Sequence, residues 1–527
     1  MKKLYHRVVL GFLASLTAII AAPALSASQA PIVNIAQGRI SGVPQDGAFA
    51  YLGIPYAAPP VGELRWRAPQ PASVWKGVRA ADKFGPGCIQ DPSPGGFGPW
   101  THEYQVQGPT SEDCLTLSIW IPRKLKRPAA VLMWIHGGGF QIGSASVPVG
   151  DGSALARDGI IVVAIQYRLG PLGFLGSPEF ANGNGGNFGL QDQIAALRWI
   201  KANISAFGGD PNRVAIGGQS AGAISVHELM VSPLASGLFQ RAIAESGVGL
   251  GAGPQLALLP RERAEAGANA LLAAIGARSI AEARQLPPAR IMAARGTVAA
   301  SLPGFSFTPY ADGIVVPVDV ETALRSRQYN DTPVLVGMNA NEGSGLNLRY
   351  NVTSHDQYDQ LVQQRFGSFA PDVERLYPWE TSSPFPVLLK DTGLASMLFW
   401  IDTRNVSSKQ PLFAYMFTHA EPGPQSAAYG AFHSGEIPYV FGTLNKSPER
   451  GFTDADKQIS TQIMAYWSNF VKTGDPNGNG LPVWPQFDGK GNILELGDNF
   501  DLYPALSTEK LDLFRRDVAG GGSLLVF

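Results

Sequence analysis

The sequence predicts an α/β protein with a large, mostly parallel, doubly wound central sheet, helices on both faces, and inserted cap helices and loops. Three observations lead there. The apolar runs 130–135, 160–165, 333–337 and 412–417 are continuous rather than alternating, which suits strands buried on both faces. Helical patterns lie between them, and strands alternating with helices argue for a sheet wound on both sides. Between the strand-like run 213–217 and the helix-like run 221–230 stands Gly218-Gln219-Ser220-Ala221-Gly222, a serine in a turn tight enough to need nearly bare neighbours.

The chain begins with Lys2, Lys3 and Arg7, then an apolar run over 8–22, then Ala24-Leu25-Ser26. A basic start, a short apolar stretch and small residues at the cut predict a secretory signal over 1–26. The apolar stretch is too short to span a membrane comfortably, and no later one resembles a span. The reading is an exported chain, periplasmic or secreted, without stable membrane insertion. No linker-like boundary divides 27–527, so this length reads as a single domain. The 41 basic and 42 acidic residues nearly balance, and nothing in them points to a nucleic-acid partner.

The two cysteines are Cys88 and Cys114. In an exported chain such a pair is expected to bridge, and neither has the neighbours of a catalytic thiol. No His, Cys and carboxylate set has metal-ligand spacing, so no metal is expected. Further along, 191–204 places Ile194, Leu197, Ile200 and Ile204 at helical spacing. Residues 255–295, rich in Ala, Leu, Arg and Glu, read as helices inserted over the site. The run 454–473 sets Ile459, Ile463, Trp467 and Phe470 on one side of a helix, and 474–478 breaks it.

A serine nucleophile needs a base, a group to orient the base, and donors for the oxyanion. His136-Gly137-Gly138-Gly139-Phe140 follows a buried strand, and its glycines let the backbone approach a substrate oxygen closely. Gly138, Gly139 and Ala221 are the candidate donors, with His136 a structural part of the loop. Partners of such a serine follow in the order acid, then histidine. That leaves His355, His419 and His433, with His433, in a glycine-rich loop, ahead of His419 at a strand end. For the acid, Glu342 lies just past the 333–337 strand, where site loops of parallel sheets sit. Asp312 and Asp331 compete, though Asp312 reads as a turn residue.

With these stations in place, the chain resembles the type B carboxylesterase and cholinesterase family of α/β-hydrolases over about residues 33–487. Ser111-Glu112-Asp113-Cys114-Leu115, Tyr167-Arg168-Leu169-Gly170 and Phe207-Gly208-Gly209-Asp210-Pro211 carry the likeness, with 49–56, 187–193 and 436–442. The resemblance implies the α/β-hydrolase fold and a cofactor-free serine hydrolase of small carboxylic esters. It implies a Ser220, Glu342, His433 triad, with Gly138, Gly139 and Ala221 as oxyanion hole. It further implies a Cys88–Cys114 disulfide, an Arg65–Glu112 salt bridge, and Ser225 as support for the acid. One departure stands out. The family's commonest elbow has Glu before the serine, where this chain has Gln219. Losing that negative charge argues against choline esters. Trp100, in the first cysteine loop, reads equally as pocket wall or surface residue. Amide or carbamate hydrolysis with the same residues, and an inactive binding module, are the competing readings.

Overall fold

Eleven strands form one sheet among the described residues: β1 Val43–Gln45, β2 Ala48–Pro55, β3 Thr116–Pro122, β4 Ala129–Ile135, β5 Ile161–Ile165, β6 Gly209–Gln219, β7 Arg241–Glu245, β8 Val334–Asn339, β9 Leu412–Phe417, β10 Ile493–Leu496 and β11 Leu502–Tyr503. This computed structural model describes residues 30–525, except 92–94, 126–127, 181–184, 248, 254–257, 347–351, 490 and 505. The expected export segment, 1–26, lies outside the described residues. The strand order is β11-β10-β9-β8-β7-β6-β4-β5-β3-β2-β1. From β10 to β5 every neighbouring pair is parallel. Antiparallel strands finish both edges, β3, β2 and β1 on one side and β11 on the other.

The continuous apolar runs have a direct cause. On β4, Val131, Met133 and Ile135 face one core. Ala130, Leu132 and Trp134 face a second core on the opposite side. The first is closed by helices α1 Phe188–Asn203, α2 Ala221–Val231 and part of α4 Phe385–Asn405, through Ile194, Leu197, Val226 and Ile401. The second is closed by α5 Asp454–Thr473, through Ile459, Ile463, Trp467 and Phe470. Side chains alternate along a strand, so a strand sandwiched between helices must be apolar at every position. Helix α5 is also well terminated. Thr453 and Asp456 form a reciprocal capping box, and Gly474 closes the end at φ 85°.

Between β7 and β8 the expected insertion forms α3 Arg261–Ile275 and the short helices Ile280–Arg284, Pro288–Ala293 and Arg295–Ser301. Arg65 ties this insert to the first loop. It grips Glu112 with two bonds, of 2.6 and 2.7 Å, and donates to the carbonyl of Leu286 at 2.7 Å. Cys88 and Cys114 are joined in a disulfide across 26 residues. Among the described residues no helix is long and apolar enough to cross a membrane.

Candidate active site

Strand β6 ends at Gln219 and α2 begins at Ala221. Ser220, between them, has φ 58° and ψ −125°. A non-glycine residue at positive φ is strained, and such strain persists where the surroundings over-determine it. Here they do. A Cβ on Gly222 would meet the Ile135 carbonyl oxygen at 2.0 Å, and one on Gly218 would meet Gly222 at 2.5 Å. The Ser220 N–H donates to the Glu245 carbonyl at 2.8 Å, and its carbonyl accepts from Ile224 at 2.9 Å. The turn therefore holds the serine at the C-terminal end of β6 and at the helix start, where the dipole favours negative charge.

The glycine loop leaves β4 beside this turn. Gly138 adopts φ 101°, and a Cβ there would meet the Ile142 carbonyl at 2.2 Å. Its own carbonyl accepts from Gln141 and Ile142, both at 3.0 Å. No backbone bond among the described residues uses the N–H of Gly138 or Gly139. Ala221 is the first residue of its helix, so its N–H has no helical acceptor either. Gly138, Gly139, Ala221, Ser220 and His433 all line one cavity of about 600 Å³. His136 stacks on Tyr167 with ring centroids 4.4 Å apart, and burial pushes it down to about 4. It is a wall residue, as expected.

His433 and Glu342 come together across 91 residues, with Nδ1 and Oε2 2.5 Å apart. Both are at least nine-tenths buried. The other carboxylate oxygen of Glu342 accepts the N–H of Asn339 at 2.7 Å. The Asn339 amide donates to the Phe432 carbonyl at 2.7 Å and to Glu436 at 2.5 Å, bracing the histidine loop against the end of β8. On the far side, the Trp100 indole donates to the His433 carbonyl at 3.0 Å. Trp100 is thus a buried wall residue, which resolves the two readings of it. The Gln219 amide nitrogen stands 3.3 Å from His433 Nε2. Burial, then the charge of Glu342, pushes Glu436 up to about 7. Burial and Glu436 push Glu245 well up too.

The competing candidates fall elsewhere. His419 sits between Asp498 and Asp456, at 2.8 and 2.9 Å. Asp312 caps a turn, its Oδ1 accepting from Ile314, Val315 and Val316. Asp331 lies beside Arg404. Ser225, expected to support the acid, has a partner on α1. Its hydroxyl accepts from Gln193 at 3.0 Å, and it is not among the bonded partners of Glu342. Sequence reasoning missed Asn339, whose signal is its place at the strand end three residues before Glu342. It also missed His102, Glu103 and Glu449, whose donor atoms lie within 4.8 Å of one another. Glu449 is distant in sequence from the adjacent His102 and Glu103, and Glu103 is already bonded to Thr101 and Arg450.

Comparison with known proteins gives the following. The profile of the Carboxylesterase family matches residues 29–376 and 386–514. Fumonisin B1 esterase of Sphingopyxis macrogoltabida is 36% identical over 482 residues, 87% of this chain and 85% of its own. Phenmedipham hydrolase of Pseudarthrobacter oxydans is 35% identical over 494 residues, 89% and 95% of the two chains. Para-nitrobenzyl esterase of Bacillus subtilis (strain 168) is 34% identical over 477 residues, 86% and 92%. A solved thermophilic PNB esterase superposes with TM-score 0.79 at 31% identity, covering 92% of this chain and 99% of that one.

Proposed function

The chain belongs to the carboxylesterase family and is a carboxylic ester hydrolase; on that premise we propose that it works through Ser220, His433 and Glu342 by way of an acyl-enzyme. The contact between His433 Nδ1 and Glu342, in a cavity that Ser220 also lines, is the observation that carries this reading. Ser220 attacks the ester carbonyl while His433 takes its proton on Nε2. Glu342 fixes the tautomer in which Nε2 is the accepting nitrogen, and stabilises the imidazolium that forms. The N–H groups of Gly138, Gly139 and Ala221 receive the oxyanion, each such donor typically worth about 2.7–4 kcal/mol. His433 then returns the proton to the departing alcohol. Water then attacks the acyl carbon while His433 takes its proton, and His433 passes that proton to Ser220 Oγ as the acyl–oxygen bond breaks and the acid leaves. No step calls for a cofactor.

Gln219 supports this assignment in a neutral form. It occupies the position beside the nucleophile without adding a charge that would compete with Glu342 for the imidazolium. A second reading, hydrolysis of an amide or carbamate with the same residues, is favoured by one fact: a 35% identical relative is named a hydrolase of phenmedipham rather than an esterase. Matched p-nitrophenyl ester and p-nitroanilide substrates separate the two by kcat/KM. The Ser220→Ala protein is expected to stay folded and lose turnover on both; unchanged turnover would remove Ser220 from the mechanism. Export is proposed as well, on the basic and apolar segment 1–26 and the disulfide. Cell fractionation with N-terminal sequencing tests it, and a cytoplasmic chain retaining Met1 contradicts it.

A further inference from the structure

Helix α2 presents to the cavity one residue that ester cleavage does not use. Ala221, Ile224 and Glu228 line it together, as positions separated by three and seven residues on one helix face should. Glu228 is 1% exposed. Its Oε2 is fully buried and has no hydrogen-bond partner among the described residues. An unpaired buried carboxyl is costly, and because Glu228 lines the cavity, a ligand drawn in beside it can supply the missing partner.

The surrounding charge says which kind of ligand. Burial, then the charges of Asp319 and Asp312, pushes the Glu228 carboxyl up to about 8. Asp312 is itself buried with Oδ2 unpaired. Arg261 donates to the main-chain oxygen of Asp312 and not to its carboxylate. Arg295 is engaged by Asp91 and Gln141. Among the described residues the cavity wall carries the Glu228 carboxyl and no Lys or Arg. Leu258, Ile224 and Pro309 supply apolar wall around it, which strengthens any charge pairing made there.

We propose that Glu228 makes this end of the cavity an ammonium subsite, so that the chain takes esters bearing an amine remote from the scissile carbonyl. The spacing follows from the helix. Seven residues from Ala221 to Glu228 span about 10 Å along the axis, and the glutamate side chain leans back toward the helix start. The amine then lies about 8–10 Å from the oxyanion donors. That is too far for a cation two carbons from the ester oxygen. It agrees with Gln219 standing where an acid beside the nucleophile would favour choline esters.

The inference rests on the esterase reading of this cavity, so its test is made on binding. In the Ser220→Ala protein, dissociation constants for hexylammonium and for 1-hexanol are measured by calorimetry at pH 8.5, where the amine is charged and Glu228 is largely ionised. A charge-assisted bond predicts that hexylammonium binds about 10–100-fold more tightly than its neutral counterpart. In the Glu228→Gln background the preference disappears, and in Glu228→Asp part of it returns. Equal affinities for amine and alcohol, absent binding of hexylammonium, or a preference that survives Glu228→Gln overturns the proposal. Should Glu228→Gln fail to fold, the preference in the parent and in Glu228→Asp decides. Failure of the unmutated protein to cleave p-nitrophenyl esters would count against the esterase mechanism and leave the binding result standing.

Discussion

Replacing Glu342 with Gln should disable the histidine without disturbing the fold. Glu342 uses both oxygens. One accepts the Asn339 N–H at 2.7 Å, and the other meets His433 Nδ1 at 2.5 Å. An amide has one oxygen and one NH2. If the oxygen stays on Asn339, the NH2 faces Nδ1 and drives the imidazole proton to Nε2. His433 then points a donor into the cavity and cannot accept a proton from Ser220. If the amide flips, its NH2 opposes the Asn339 N–H in a buried site, which costs about 1–3 kcal/mol. The Asn339 contact therefore selects the inactive tautomer. Such a tautomer error lowers kcat by about 10⁴-fold, or roughly 5.4 kcal/mol of barrier. The assay is single-turnover hydrolysis of p-nitrophenyl butyrate, with the melting temperature followed in parallel. A folded Glu342→Gln protein within tenfold of the parent would refute the reasoning.

Three further perturbations have expected outcomes. Gly222→Ala pushes a methyl to 2.0 Å from the Ile135 carbonyl and should destabilise by about 3 kcal/mol, while Gly139→Ala, at φ 60° with open space, should cost about 1 kcal/mol; equal denaturant midpoints for the two would contradict the packing argument. Changing Cys88 and Cys114 to Ser together frees a 26-residue separation and should lower stability by about 3–4 kcal/mol, measured by guanidinium unfolding against the oxidised parent. Glu228 carries a folded-state value of about 8 against an ordinary 4.5. Its contribution to stability is thus fully present below pH 4.5 and is lost as pH rises through 8. Relative to Glu228→Gln, the parent should lose up to about 4 kcal/mol between pH 4.5 and 9, and parallel unfolding curves would rule this out.

Where local pattern and burial agree, the chain is legible residue by residue. The apolar run 412–417 is β9, and the periodic run 454–473 is α5. In both cases one period of apolar residues meets one packing surface. Helix α1 starts at Phe188 rather than Gln191, because its first turn is buried without following the periodic pattern. The antiparallel edge was not read. Strand β2 is interrupted by Gly53 and ends at Pro55, and β11 has only two residues, so neither offers a clean strand pattern. At the site, the elbow and the glycine loop are local and were visible. The partners of Trp100 and His433 are not local: the bond between them joins residues 333 apart, and only packing creates it. On α2, the step of about 100° per residue counted from Ala221 puts Glu228 on the pocket face.

The most direct test of the account is to inactivate the mature protein with a fluorophosphonate and map the adduct by peptide mass spectrometry. The account predicts one adduct, on the peptide holding Ser220, formed in step with loss of ester hydrolysis and slowed strongly in Glu342→Gln. An adduct on another residue, or hydrolysis that persists after Ser220 is fully modified, would contradict it.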